Sequence, residues 1–155
     1  MTAATIRAAS PAALAETVGQ VATGDWFTIG QDRVAAFAEA TEDRQWIHLD
    51  TQRAAAGPFG TTIAHGFLTL SLLPHLAASL VEVDGVSMAV NYGMDKVRFL
   101  SPVPSGSRVR ATTEVTAADQ SPTGMRLSTL VTVEIDGADR PALVAQTLTL
   151  YVPEA

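Results

Sequence analysis

Apolar residues follow a helical period in the first half of the chain and a strand period in the second half. Between residues 31 and 42 they recur every three or four positions, which predicts an amphipathic helix. A Ser-Pro pair predicts a short helix over residues 11–18, and an aspartate N-cap, three alanines and a Gly-Pro stop predict another over residues 50–57. Residues 25–29 have the pattern of a short strand that a glycine ends.

The most apolar stretch, residues 65–80, predicts a long helix that other structure covers on most sides. Pro74 lies inside it, and we expect this proline to bend the helix. The apolar run is shorter than the roughly 18 to 20 residues that a membrane helix needs. We therefore predict a buried core helix and no membrane insertion.

After Gly85 the apolar residues alternate with polar ones, and four segments rich in Val, Thr, Leu and Tyr predict long strands. These segments are residues 86–99, 108–116, 125–135 and 142–152. Asp136 and Gly137 predict a hairpin turn. Four strands after one buried helix predict an α+β fold in which an antiparallel sheet wraps around a long central helix. Since nothing divides the chain, we expect one domain over residues 1–155, with residues 1–20 as an N-terminal extension.

Composition and charge restrict the possible functions. The chain has 155 residues, of which 47% are hydrophobic and 17% are charged, as in a compact globular protein. It contains no cysteine, which excludes disulfides, thiolate catalysis and cysteine metal sites. The formal net charge of −6 argues against a nucleic-acid surface, because such surfaces need clustered Lys and Arg. The first 20 residues lack the basic start and apolar centre of a signal peptide, which predicts a cytoplasmic location.

The polar segment between the predicted helices carries the candidate chemistry. Asp43 and His48 lie five residues apart on a predicted loop, and Gly66 follows at the start of the long helix. A histidine can take a proton from water near neutral pH, and a nearby carboxyl group can return one to carbon. The backbone N–H of Gly66 can stabilise negative charge that develops on an oxygen conjugated to a double bond. These groups suffice to add water to a polarised double bond, and the sequence leaves open which of Asp43 and His48 is the acid.

The segment Asp43-Arg-Gln-Trp-Ile-His48-Leu-Asp, together with His65-Gly66 and residues 97–103, resembles the MaoC-like family of (R)-specific enoyl-CoA hydratases. The resemblance covers residues 27–109 by motif and the remaining strands by pattern. Many members of that family have Gly-Asp-x-Asn-Pro before the Ile-His, whereas this chain has Glu-Asp-Arg-Gln-Trp. The Gln-Trp form is similar to an actinobacterial subgroup described as nodulation protein N-like.

The resemblance implies a homodimeric hot-dog enzyme of fatty acid metabolism that needs no cofactor. Such an enzyme hydrates trans-2-enoyl-CoA to (R)-3-hydroxyacyl-CoA or catalyses the reverse dehydration. The resemblance also implies that Asp43 and His48 hold the reacting water and that Gly66 forms the oxyanion hole. We predict that Trp46 and Phe67 approach the substrate. Arg98 is a candidate for a CoA phosphate contact, because arginine suits bidentate phosphate binding.

The same residues allow other interpretations. A thioesterase of this fold generally has a carboxylate on the central helix, and residues 67–80 contain no Asp or Glu. A non-catalytic acyl-thioester-binding subunit would not need the Asp43–His48 pair. His65 is better explained as a structural residue that fixes the loop. The three histidines match no compact ligand spacing, so we predict no metal site. The sequence does not determine the acyl chain length or the choice between CoA and acyl carrier protein.

Overall fold

The computed structural model describes residues 5–155 and has an α+β architecture, as the sequence predicts. Its helices are α1 (Gln31–Thr41), α2 (Trp46–Leu49), α3 (Thr51–Ala55), α4 (Gly66–Ser71) and α5 (Leu73–Leu76). Its strands are β1 (Ile6–Ala8), β2 (Val21–Thr23), β3 (Phe27–Thr28), β4 (Val81–Val83), β5 (Val86–Phe99), β6 (Arg108–Ser121), β7 (Gly124–Ile135) and β8 (Leu143–Pro153). A 3₁₀ turn spans Ala12–Thr17, inside the first predicted helix.

The four long strands form one antiparallel sheet, which confirms the prediction from their alternation. The strand order is β2-β6-β7-β8-β5, with β3 beside β6, so β5 lies at one edge. Along β7 every second residue is buried, as expected for a sheet with one face on the core. The buried face packs against α4 and α5 through Leu68, Leu72, Leu73 and Leu76.

The predicted long helix over residues 65–80 is wrong in its length. The chain forms two short helices instead, and Pro74 lies in the first turn of α5. Proline lacks an N–H donor and clashes with the preceding helical turn, so the helix restarts at this point. The expected covering on most sides is also wrong, because Phe67 on α4 is 67% exposed. The helical segment is buried only on the side that faces the sheet.

The first residues that the structure describes belong to the core. Strand β1 pairs in parallel with β4, and the Ile6 N–H donates to the Leu80 carbonyl oxygen at 2.9 Å. Ile6, Ala8 and Leu14 are buried. Strands of three residues are too short to show a period in the sequence, which is why this pairing was not predicted. Among residues 5–155, no helix is long and apolar enough to cross a membrane.

Candidate active site

Asp43 lies just beyond α1, one residue after the Glu42 C-cap, and the sequence likewise predicts it just past the end of the helix. Glu42 ends the helix in the left-handed conformation, with φ of 63°. This conformation turns the chain and leaves the Asp43 side chain about half exposed, at 52%. Arg44 forms ion pairs with Glu42 and with Glu39, the latter at 2.8 Å, and it lowers the pKa of Glu39 below its ordinary value. The turn that presents Asp43 therefore carries a cluster of surface charges.

His48 lies on α2 and is buried, so its predicted position on a loop outside the core is wrong. Its Nδ1 lies 2.7 Å from the carbonyl oxygen of Ile63. Because a carbonyl can only accept, Nδ1 carries the hydrogen and Nε2 is left as a proton acceptor. Burial lowers the pKa of His48 below its ordinary value, which the Ile63 bond and Asp43 partly offset. The neutral imidazole is thus favoured.

His65 connects His48 to the Asp43 turn. The two imidazole rings stack with centroids 3.7 Å apart and an interplanar angle of 23°. The His65 Nε2–H donates to the main-chain oxygen of Asp43 at 2.9 Å, and Nε2 lies 4.0 Å from the Asp43 carboxylate. These contacts support the structural role that the sequence predicts for His65.

A cavity of about 350 Å³ opens beside His48 and Gly66. Gly66 is the first residue of α4, so its N–H has no acceptor within the helix. A Cβ at this position would lie 3.0 Å from two ring carbons of Phe99, so a larger residue here would have to displace that ring. The remaining lining is mostly apolar: Ile47, Ile63, Ala64, Thr69, Phe99, Leu100, Ser101, Pro102, Val103, Ala142 and Leu143. The cavity therefore brings a proton acceptor and an amide donor together in an apolar pocket.

The three predicted substrate contacts lie outside the lining of this cavity. Trp46 packs against Gly57 and under the Arg53 guanidinium, which lies 4.1 Å from its ring centroid. Phe67 is exposed and forms an edge contact with Phe99, with centroids 6.0 Å apart. The Arg98 guanidinium donates to the carbonyl oxygen of Val97.

Phe99 and Thr69 line the cavity and were not predicted as site residues. Strand alternation from the core-packed Val97 would have placed Phe99 on the same face of β5. Helical spacing places Thr69 three residues after Gly66, on the same side of α4. Both signals were present in the sequence, although neither residue type indicates chemistry by itself.

Asp43, His48 and His65 are also the residues that could hold a metal ion, because one ligand atom of each lies within 4.8 Å of the others. Sequence spacing did not show this cluster, since the chain brings His65 to the other two from a different element. The His65 nitrogen nearest the Asp43 carboxylate, Nε2, already donates its hydrogen to the main-chain oxygen of Asp43, so it has no lone pair to offer an ion. The geometry favours a hydrogen-bonded water over an ion.

The fold and this cluster define a hot-dog protein with an acid–histidine site beside an apolar cavity. A family model described as the MaoC-like domain matches residues 13–136, and the chain belongs to this family. The family resemblance seen in the sequence is thereby confirmed.

The chain is 54% identical to 3-hydroxyacyl-thioester dehydratase Z of Mycobacterium tuberculosis over 142 residues, which cover 91% of this chain and 92% of that protein. It is 43% identical to nodulation protein N of Rhizobium leguminosarum bv. viciae over 143 residues, covering 90% and 87% of the two chains. Among solved structures it is similar to the R-hydratase PhaJ1 of Pseudomonas aeruginosa. That likeness has a TM-score of 0.71 and 27% identity, and it covers 89% of this chain and 83% of the other.

Proposed function

We propose that this protein adds water reversibly across the double bond of trans-2-enoyl-CoA and forms (R)-3-hydroxyacyl-CoA. The observation that carries the proposal is the hydrogen bond from His48 Nδ1 to the Ile63 carbonyl oxygen, which leaves Nε2 as a proton acceptor, in a residue that lines the same cavity as Gly66. The names of the similar proteins, a 3-hydroxyacyl-thioester dehydratase and an R-hydratase, support the same reaction class.

The water would be held between His48 and Asp43. One ring nitrogen of His48 and one carboxylate oxygen of Asp43 lie within 4.8 Å of each other, which is close enough for one water to hydrogen-bond to both. The water oxygen attacks C3 while Nε2 of His48 takes one of its protons. The C2–C3 π electrons move toward the thioester carbonyl, and the pair then returns a proton to C2. The water thus supplies a hydroxyl group to C3 and, through the pair, a proton to C2, so the atoms and charges balance without a cofactor.

Gly66 would stabilise the negative charge that develops on the thioester oxygen. Its N–H is free of the helix and lines the same cavity as His48. A donor aimed at developing charge in a water-poor pocket is worth about 2.7–4 kcal/mol in comparable sites. The Phe99 ring against Gly66 helps to keep this part of the cavity apolar.

The same geometry supports a stereochemical proposal. His48 and Gly66 line the same cavity, and Asp43, which lies outside that lining, has a carboxylate oxygen within 4.8 Å of a His48 ring nitrogen. A water held by the pair would therefore reach the double bond from the side of His48, and with the carbonyl fixed by Gly66 the returned proton would reach the same face. We expect the (R)-3-hydroxy thioester as the product.

We also propose that the protein is a homodimer joined along β5. This 14-residue strand is exposed along most of its length, and its large apolar side chains are uncovered at Met88, Val90, Tyr92 and Met94. A long apolar edge of this kind invites pairing with another strand. A two-fold axis beside β5 would pair it antiparallel with a second β5 and cover both edges.

Incubation with crotonyl-CoA tests the proposed reaction. Hydration removes the enone absorbance without releasing free thiol, whereas a thioesterase releases thiol and a binding subunit does neither. Chiral analysis of the product then tests the stereochemical proposal. Thiol release or mainly (S) product would contradict the mechanism.

A further inference from the structure

We propose that Gln31 and Thr62 form a positioning pair that fixes the orientation of His48, an inference that rests on the proposed function. Gln31 is the first residue of α1, and its side-chain amide lies between two partners. Its Nε2–H donates to the main-chain oxygen of His48 at 2.7 Å, and its Oε1 accepts from the Thr62 hydroxyl at 2.6 Å.

The main chain at His48 needs such support because α2 has only four residues. Helices of this length are not stable by themselves, and their last carbonyl groups have no partner within the helix. The His48 carbonyl is one of these groups, and the Gln31 amide satisfies it. Gln31 therefore holds the end of the helix from which the catalytic imidazole projects.

The second half of the pair acts on the ring of His48. Thr62 is 3% exposed and directly precedes Ile63, whose carbonyl oxygen accepts the His48 Nδ1–H. The Ile63 N–H donates to the Ile47 carbonyl oxygen at 3.0 Å, which ties the same segment to α2. One glutamine side chain thus links the main chain of His48 to the segment that selects its tautomer.

The amide is the group this position requires. It must donate at one end and accept at the other, and a glutamine does both while a glutamate cannot donate. If the pair is broken, Ile63 and α2 can shift relative to each other. Nε2 of His48 is then no longer held at hydrogen-bonding distance from the reacting water. Misplacement of a catalytic group by about 1 Å can cost roughly 100-fold in rate.

Three variants separate this role from general stability. Thr62→Val removes the hydroxyl, Gln31→Glu removes the donor to His48, and Thr62→Ser is the matched control that keeps the hydroxyl. We expect Thr62→Val and Gln31→Glu to lower kcat with crotonyl-CoA by about 10- to 100-fold, with KM little changed. Thr62→Ser should retain most of the wild-type kcat. Thermal unfolding of each variant shows whether it is folded, and the two disrupting variants test the pair independently.

Nitrogen-15 NMR of the His48 ring gives a readout that a structural role elsewhere would not change. The wild-type ring should show one tautomer with the hydrogen on Nδ1, whereas the disrupted variants should show a mixture. The Ile63 bond raises the pKa of His48, so its loss in Thr62→Val should move the acid limb of the kcat profile to lower pH. The other titratable groups that act on this ring are His65 and Asp43, and both Thr62 variants retain them. Gln31→Glu adds a carboxylate beside His48, so the pH comparison uses only the Thr62 variants.

The outcomes distinguish the two proposals. Folded variants with wild-type kcat and an unchanged His48 tautomer would overturn the positioning role. A wild-type protein without hydratase activity, but with a tautomer that depends on the pair, would overturn the proposed function and support the positioning role.

Discussion

Replacing Asp43 by asparagine removes the carboxylate with little change in shape. The side chain is 52% exposed, so we expect the free energy of unfolding to change by less than about 0.5 kcal/mol. General acid–base groups contribute about 10²- to 10⁴-fold in rate. At 1.36 kcal/mol per tenfold, the activation free energy should rise by about 2.7–5.4 kcal/mol. The variant should therefore be folded and nearly inactive.

His48→Ala should lose a similar fraction of the rate but should also lose stability, because His48 is 6% exposed. Removing the ring leaves the Ile63 carbonyl unpaired, at a cost of about 1–3 kcal/mol. It also removes the stacking on His65, which contributes about 0.5–1.5 kcal/mol. The sum stays below the 5–15 kcal/mol that typically separates folded from unfolded protein.

Two measurements check these values on the same samples. The loss of enone absorbance of crotonyl-CoA gives kcat and KM, and urea denaturation gives the free energy of unfolding. The rate losses should be strongly non-additive in the double variant if both groups hold one water. Near-wild-type turnover of Asp43→Asn would refute its role, and an unfolded Asp43→Asn would refute the structural reasoning.

Three further predictions concern the cavity, the pH dependence and the edge strand. Gly66→Ala should lower kcat roughly tenfold, because the new Cβ would lie 3.0 Å from carbons of the Phe99 ring and displace it. Adding Phe99→Leu, which removes this contact, should restore activity. Equal kcat in Gly66→Ala would contradict this. The kcat/KM profile should be flat near neutrality and fall only below pH 6.5, because burial holds the pKa of His48 under that ordinary value and the rate needs the neutral ring. An acid limb above pH 6.5 would oppose this assignment. Val90→Arg on β5 should give monomers in light scattering. Val21→Arg is the control, because Val21 is similarly exposed but lies on the opposite edge strand, and it should leave the dimer intact. A monomeric wild-type protein would contradict the dimer proposal.

The sequence predicts the sheet well because strand alternation is a local property. The predicted strand over residues 86–99 matches β5, and the helix over residues 31–42 differs from α1 by one residue. The Asp50 N-cap is also confirmed, since its side chain accepts from the Arg53 N–H. The break at Pro74 was predicted only as a bend, because a proline signals the lost hydrogen bond but not whether the helix restarts.

The candidate site is harder to predict because its contacts join distant parts of the chain. The motif predicts that Asp43 and His48 lie near Gly66, and the structure places the side chains of Asp43 and His48 within 4.8 Å of each other. The motif does not predict that His48 is buried, since the burial of this side chain depends on the helices around it. The bond from Gln31 to His48 spans 17 residues, and side chains so far apart have no characteristic spacing.

Glu42 has a left-handed backbone conformation at the turn that orients the Asp43 side chain. A charged residue therefore occupies a position where glycine would be sterically easier. Residues other than glycine lose about 1–2 kcal/mol in this conformation. Many members of this family have glycine before the aspartate, and glycine adopts such a φ without steric cost. In this chain the exposed ion pairs of Arg44 with Glu39 and Glu42 act on the turn together with the hydrogen bond from His65 to the Asp43 main-chain oxygen. Because salt screens exposed ion pairs but leaves a glycine turn unaffected, we expect the orientation of the Asp43 side chain in this protein to vary with ionic strength more than it would with glycine at position 42.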